Sequence, residues 1–121
     1  MQILVLGMHR SGTSLITRLI NMMGAYFAPE GMSHGFTPGN PKGFWERKDV
    51  IAINDAILAA YGCKWDALAD WPAAPAADSP LTQRIRSLIL DMDGFRPWVM
   101  KDPRHCLTLP AWLPHLEVPV A

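Results

Sequence analysis

The sequence has no excess of charge of either sign. Its 11 lysines and arginines balance 11 aspartates and glutamates, for a formal net charge of +0. That balance excludes the overall basicity of a general nucleic-acid or polyanion binder, though not a local basic cluster. Cysteine is scarce, with 2 in 121 residues. Cys63 and Cys106 lie far apart without metal-ligand spacing, and no secretory signal precedes them, so partly buried reduced thiols are expected rather than a disulfide or a metal site. Long hydrophobic runs are missing too, since none approaches the ~20 apolar residues of a membrane helix. The early run Ile3 to Leu6 lacks the basic n-region, longer apolar core and cleavage site of a signal peptide. These absences predict a cytoplasmic chain with neither a membrane nor a nucleic-acid partner, and they leave its oligomeric state open. The 5 tryptophans have no interleaved basic residues to make a base-stacking platform, which assigns them to packing.

Hydrophobic residues make up 50% of the chain and charged ones 18%, a composition that folds around a core. The length allows one domain at most, since domains run to ~100–150 residues. Gln2 to Leu6 is a continuous apolar run, as in a strand buried on both faces of a parallel sheet. Gly7 to Gly12 turns, and from Thr13 to Met23 the apolar positions Leu15, Ile16, Leu19, Ile20 and Met23 share one helical face, with Gly24 as the stop. Ala25 to Phe44 is rich in glycine and proline and too long for a plain connection, which points to a lid or binding loop. A helix is predicted over Lys48 to Tyr61, with Val50, Ile53, Ile57 and Tyr61 on one face and Gly62 closing it. Asp66 to Asp78 is an Ala/Pro/Asp-rich connection.

Ser79 as cap and Pro80 at the first helical position open a further helix carrying Leu81, Ile85, Leu88, Ile89 and Met92 and ending near Gly94. Trp98 to Met100 reads as a second strand, Leu109 to Leu113 as a helical turn, and Leu116 to Val120 as a third strand. No internal repeat is present. The order strand, helix, helix, helix, strand, helix, strand predicts a parallel α/β sheet with helical crossovers. About three strands make a thin sheet with uncovered apolar edges. Residues 1–121 are therefore expected to form the N-terminal portion of a single domain, with later strands absent.

Gly7-Met8-His9-Arg10-Ser11-Gly12-Thr13-Ser14 lies between a predicted strand and a predicted helix. Glycine lets the backbone approach an anion, and the first N–H groups of the helix lack internal partners and carry the positive end of its dipole. The hydroxyls of Ser11, Thr13 and Ser14 add donors. The spacing G-x-x-x-x-G is that of a Walker A loop, but Thr13 stands where nucleotide triphosphatases place the lysine that reaches the β- and γ-phosphates. The cation is Arg10, inside the loop.

The run GMHRSGTS resembles the 5′-phosphosulfate-binding loop of the sulfotransferases that use 3′-phosphoadenosine 5′-phosphosulfate (PAPS). Arginine at the basic position is similar to bacterial and tyrosylprotein-type members. Asn40-Pro41-Lys42-Gly43-Phe44-Trp45-Glu46 and Trp98-Val99-Met100-Lys101-Asp102-Pro103-Arg104 resemble segments of bacterial sulfotransferase-like proteins. The resemblance implies a P-loop NTPase-like fold, PAPS as sulfuryl donor and no metal, with Arg10, Ser11, Gly12, Thr13 and Ser14 on the 5′-phosphosulfate. It also implies a 3′-phosphate-binding element after the third strand, which this chain does not include. The acceptor, a small molecule or a carbohydrate offering a hydroxyl or amine, is not legible.

Sulfuryl transfer needs cations on the bridging and equatorial oxygens and a base for the acceptor proton. Arg10 and Lys101 are the candidate cations. Lys101 falls just past a strand end, where open α/β sheets bind ligands, although a solvated strand-end lysine would look the same. Glu46 is the candidate base, or alternatively a cap for the helix that follows. His34 is the rival base or a substrate contact. Arg104 either clamps a phosphate or acidic acceptor or pairs with Asp102 or Glu46. His9 either donates to phosphate or fills the turn. Two other readings stand beside this one. A P-loop kinase or NTPase is disfavoured by Thr13 and by the lack of an apolar strand ending in a magnesium-binding Asp. A non-catalytic remnant of the fold would lose no activity on substitution of Glu46 or Arg10.

Overall fold

The computed structural model describes residues 1–33, 43–68, 70–117 and 119–120. Its elements are β1 (Gln2–Val5), α1 (Thr13–Met22), α2 (Lys48–Ala60), α3 (Ser79–Asp93), β2 (Trp98–Lys101), α4 (His105–Trp112) and β3 (Pro119–Val120), with a 3-10 turn at Leu113–His115 before β3. The strands form one parallel sheet in the order β2-β1-β3. Gln2 lies opposite Trp98 and Val5 opposite Lys101. The chain is therefore mixed α/β, as the alternation of elements predicts. The parallel register has a direct consequence for function: the residues after Val5 and after Lys101 leave the sheet at the same edge.

Most of the core lies between the sheet and α2, α3 and α4. The predicted α3 face, Leu81, Ile85, Leu88, Ile89 and Met92, is buried in full, and Val50, Ile53 and Ile57 of α2 meet it together with Trp98, Met100 and Trp112. At ~25 cal/mol per Å² of apolar surface, residues of this size dominate the stability of a small domain. Tyr61 falls outside this face, at the C-terminal cap of α2.

Other expectations need correction. The apolar face of α1 does not enter a core: Leu15, Ile16 and Leu19 are 58%, 49% and 46% exposed. The helix instead buries Thr13 and Thr17, whose one-turn spacing gives a narrow, small-residue contact with the sheet. The Thr17 hydroxyl returns to the Thr13 carbonyl at 2.8 Å. A helical period identifies a face without identifying what covers it. The helix expected from Leu109 begins at His105, with Pro110 inside it. The buried stripe His105, Thr108 and Trp112 holds it in place despite the amide hydrogen bond that proline lacks. The cap of α3 is Asp78 rather than Ser79, its carboxylate accepting from the Leu81 amide at 2.9 Å. The first strand stops at Val5, the second reaches Lys101, and the third begins at Pro119 rather than Leu116. Cys63 is buried and Cys106 exposed, both outside any disulfide.

Candidate functional site

The loop after β1 is drawn tight by its own side chains. Ser11 donates to the Met8 carbonyl at 2.6 Å, which commits that hydroxyl proton within the loop. A Cβ on Gly7 would lie 2.5 Å from Thr13 Cγ2 and 2.8 Å from Ser11 Oγ, so the chain can pass there only as glycine. Gly12 caps α1 with φ 84°, a left-handed conformation that glycine adopts without strain. Arg10 holds φ 62°, which side-chain-bearing residues adopt sparingly and mostly where surrounding structure imposes it. The first amides of α1 therefore open onto a cleft of about 270 Å³ lined by the loop residues His9, Arg10, Gly12, Thr13 and Ser14.

The opposite wall comes from two distant segments, Phe44 to Glu46 and the end of β2. Trp45 has φ 55°, and its ring packs 5.2 Å from that of Phe27. This turn sends the Phe44 carbonyl and the Glu46 carboxylate inward. Lys101 Nζ donates to Glu46 Oε1 at 2.6 Å, to the Phe44 carbonyl at 3.2 Å and to Ser14 Oγ at 3.4 Å. Ser14 in turn donates to the same Phe44 carbonyl at 2.7 Å. The ammonium thus directs its three protons at three acceptors. Glu46 and Lys101 are only 5% and 4% exposed, and both line the cleft. A short charge-assisted bond between buried partners is strong, provided the remaining polar atoms are also satisfied.

Several candidates from the sequence therefore meet in one place: His9, Arg10, Gly12, Thr13, Ser14, Glu46 and Lys101 share the cleft. Lys101 is not a solvated strand-end lysine. Glu46 does not cap α2, since Arg47 occupies that position and Glu46 faces Lys101 instead. Arg104 lies apart. Its Nη1 pairs with Asp102 at 2.8 Å and its Nε with Asp55 at 2.7 Å, so of the two carboxylates considered for it the partner is Asp102 and not Glu46. Burial works against the charged guanidinium, but the two carboxylates outweigh it and raise its pKa. His34 lies outside the described residues, as do Asn40, Pro41 and Lys42.

Behind Lys101 sits a network that the sequence reading missed. Asn54 Nδ2 donates to Asp102 Oδ2 at 2.9 Å, while Thr108 and the Trp112 indole both donate to Asn54 Oδ1 at 2.8 Å. The available signal was Asn54 itself, a polar residue beside Ile53 in an otherwise apolar helix. His105 is fully buried with neither ring nitrogen hydrogen-bonded. Burial pushes its pKa down to about 4, opposed by nearby Asp102. His9 packs its ring 4.3 Å from that of Trp65.

Among the described residues, no group of histidine, cysteine, aspartate and glutamate could hold a metal ion, and no helix is long and apolar enough to cross a membrane. No family model, curated protein or solved structure matches the chain.

Proposed function

We propose that the cleft binds the phosphosulfate of PAPS and that the chain carries the donor half of a sulfuryl-transfer site on a P-loop NTPase-like scaffold. The observation that carries this reading is the Lys101–Glu46 pair, 2.6 Å apart, on the wall facing a G-x-x-x-x-G loop that has no lysine of its own. A cation from a strand end takes the place of the Walker lysine, and a carboxylate comes with it.

The residues fit the group by the chemistry of their donors. Main-chain amides at the start of α1, the Thr13 and Ser14 hydroxyls and the Arg10 guanidinium favour a multiply charged oxyanion. In the reaction, the sulfur–oxygen bond to the phosphate breaks as a bond from the acceptor oxygen or nitrogen to sulfur forms. The leaving nucleotide keeps the bonding pair. Arg10 and Lys101 offset the charge that develops on the bridging oxygen, and Glu46 takes the acceptor proton. Each of these contributions acts in a cleft partly withdrawn from water, where charge–charge terms are stronger than in bulk.

The test is isothermal titration of the chain with 3′,5′-adenosine bisphosphate (PAP) and, separately, with ATP and magnesium. The bisphosphate is expected to bind more tightly, and Arg10→Ala is expected to weaken it by at least tenfold, about the value of one charge-assisted contact. Tighter binding of ATP with magnesium would overturn the reading in favour of a P-loop kinase or NTPase.

A further inference from the structure

A second cleft of about 510 Å³ lies beside the first, lined by Asp55, Leu58, Ala59, Lys64, Trp65 and Arg104 among others. The two are joined along both walls. His9 lines the first cleft and its ring touches Trp65 of the second at 4.3 Å. Pro103 lines the first and the next residue, Arg104, lines the second. We propose that this second cleft is the acceptor subsite and that it takes a neutral polyhydroxylated ligand, a sugar ring stacked on Trp65. The proposal rests on the donor reading of the neighbouring cleft for its role in transfer, but the sugar site itself stands on its own residues.

Charge is the first argument. Arg104 is matched by Asp102 and Asp55, and Lys64 offsets the remaining negative charge. A strongly anionic acceptor would meet no net attraction here, in contrast to the first cleft. The second argument is the form of the polar groups. The Asp55 carboxylate accepts and the Arg104 guanidinium donates, and their 2.7 Å contact places acceptor and donor side by side. Adjacent hydroxyls on a sugar ring, each able to donate and accept, match such a pair. The third is the aromatic surface. Trp65 is 43% exposed, and an electron-rich ring face attracts the C–H face of a sugar. Leu58 and Ala59 add apolar wall, giving the mixture of apolar surface and few polar groups common in small-molecule sites.

The experiment is saturation-transfer-difference NMR on the chain with methyl glucoside, galactoside and mannoside, and with methyl glucuronide as the anionic control. PAP affinity is followed in parallel by calorimetry. At least one neutral glycoside is expected to show transfer to its ring protons. Trp65→Ala should weaken that binding about fivefold to tenfold, the range of an aromatic stacking contact, and Trp65→Phe should retain most of it. PAP affinity should be unchanged in both variants. Absence of transfer to every neutral glycoside while PAP binds would overturn the inference and leave the donor reading intact, as would transfer to the glucuronide alone. Equal weakening in Trp65→Phe and Trp65→Ala would remove stacking as the basis and overturn it too. Glycoside binding without PAP binding would sink the donor reading and leave the sugar site in place.

Discussion

Lys101 and Asp102 are neighbours in sequence and both are buried, yet the two ion-pair clusters they anchor differ in construction. Lys101 meets one carboxylate, one main-chain carbonyl and one hydroxyl, and its cluster forms the wall of a cleft. Asp102 is enclosed. It holds the side chain of Asn54 on α2 and both the amide and guanidinium of Arg104 just before α4. Through Asn54 it also reaches Thr108 and Trp112. The first cluster leaves a buried charge where a ligand can reach it; the second ties two helices to the end of a strand. One tight turn after β2 thus supplies reactive groups and the anchor that holds them still.

The difference is best broken at the anchor. Asp102→Ala leaves the guanidinium of Arg104 and the amide of Asn54 with lost partners in the interior, and is expected to destabilise the fold by about 3–5 kcal/mol in urea denaturation. The next largest effect belongs to His105, in the same region. Its pKa is about 4 in the fold against ~6.5 for an unperturbed histidine, so between those values the unfolded chain binds the extra proton. Stability contributed by the neutral ring is fully present above ~6.5 and is lost as the pH falls toward ~4, by on the order of 3 kcal/mol. His105→Leu should flatten the pH dependence of the melting temperature across that window. It should have little effect at neutral pH, because neither ring nitrogen is hydrogen-bonded.

The cleft cluster should respond more mildly in stability and more sharply in chemistry. Replacing both members of its pair, Glu46→Gln with Lys101→Met, is expected to keep stability within ~1 kcal/mol of the parent, since removing a buried pair together is often near neutral. Sulfuryl transfer by Glu46→Gln should fall by about 10²–10⁴-fold, the usual weight of a general base. Smallest of all, Ser14→Ala removes the hydrogen bond to the Phe44 carbonyl and should lower stability by ~1 kcal/mol in thermal melts.

The sequence made the local features readable. The buried face of α3 follows directly from its apolar spacing, and the strand–loop–helix setting of Gly7 to Ser14 follows from a short apolar run ending in glycine. The parallel sheet follows from the alternation of elements. The pairings across the fold were not readable. Glu46 and Lys101 are 55 residues apart, and Asn54 and Asp102 are 48 apart; no local pattern links such positions. Composition was no guide to the orientation of α1 either. Its contact is set by Thr13 and Thr17, which carry little hydrophobic signal, while the residues that do carry it face outward. At Pro110 a local rule was overridden by the burial of His105 and Trp112 on either side of it.

The Phe44 carbonyl, which accepts from both Ser14 and Lys101, makes ligand capture an exchange rather than a filling. Donors already satisfied by a neutral amide oxygen yield only to an oxygen that accepts more strongly, so a charged phosphate or sulfate oxygen competes where water does not. When it does, the Phe44–Glu46 segment loses two of its ties to the rest of the cleft. Occupancy of the anion site would then be reported at the carboxylate two residues away, by a carbonyl that takes no part in the chemistry.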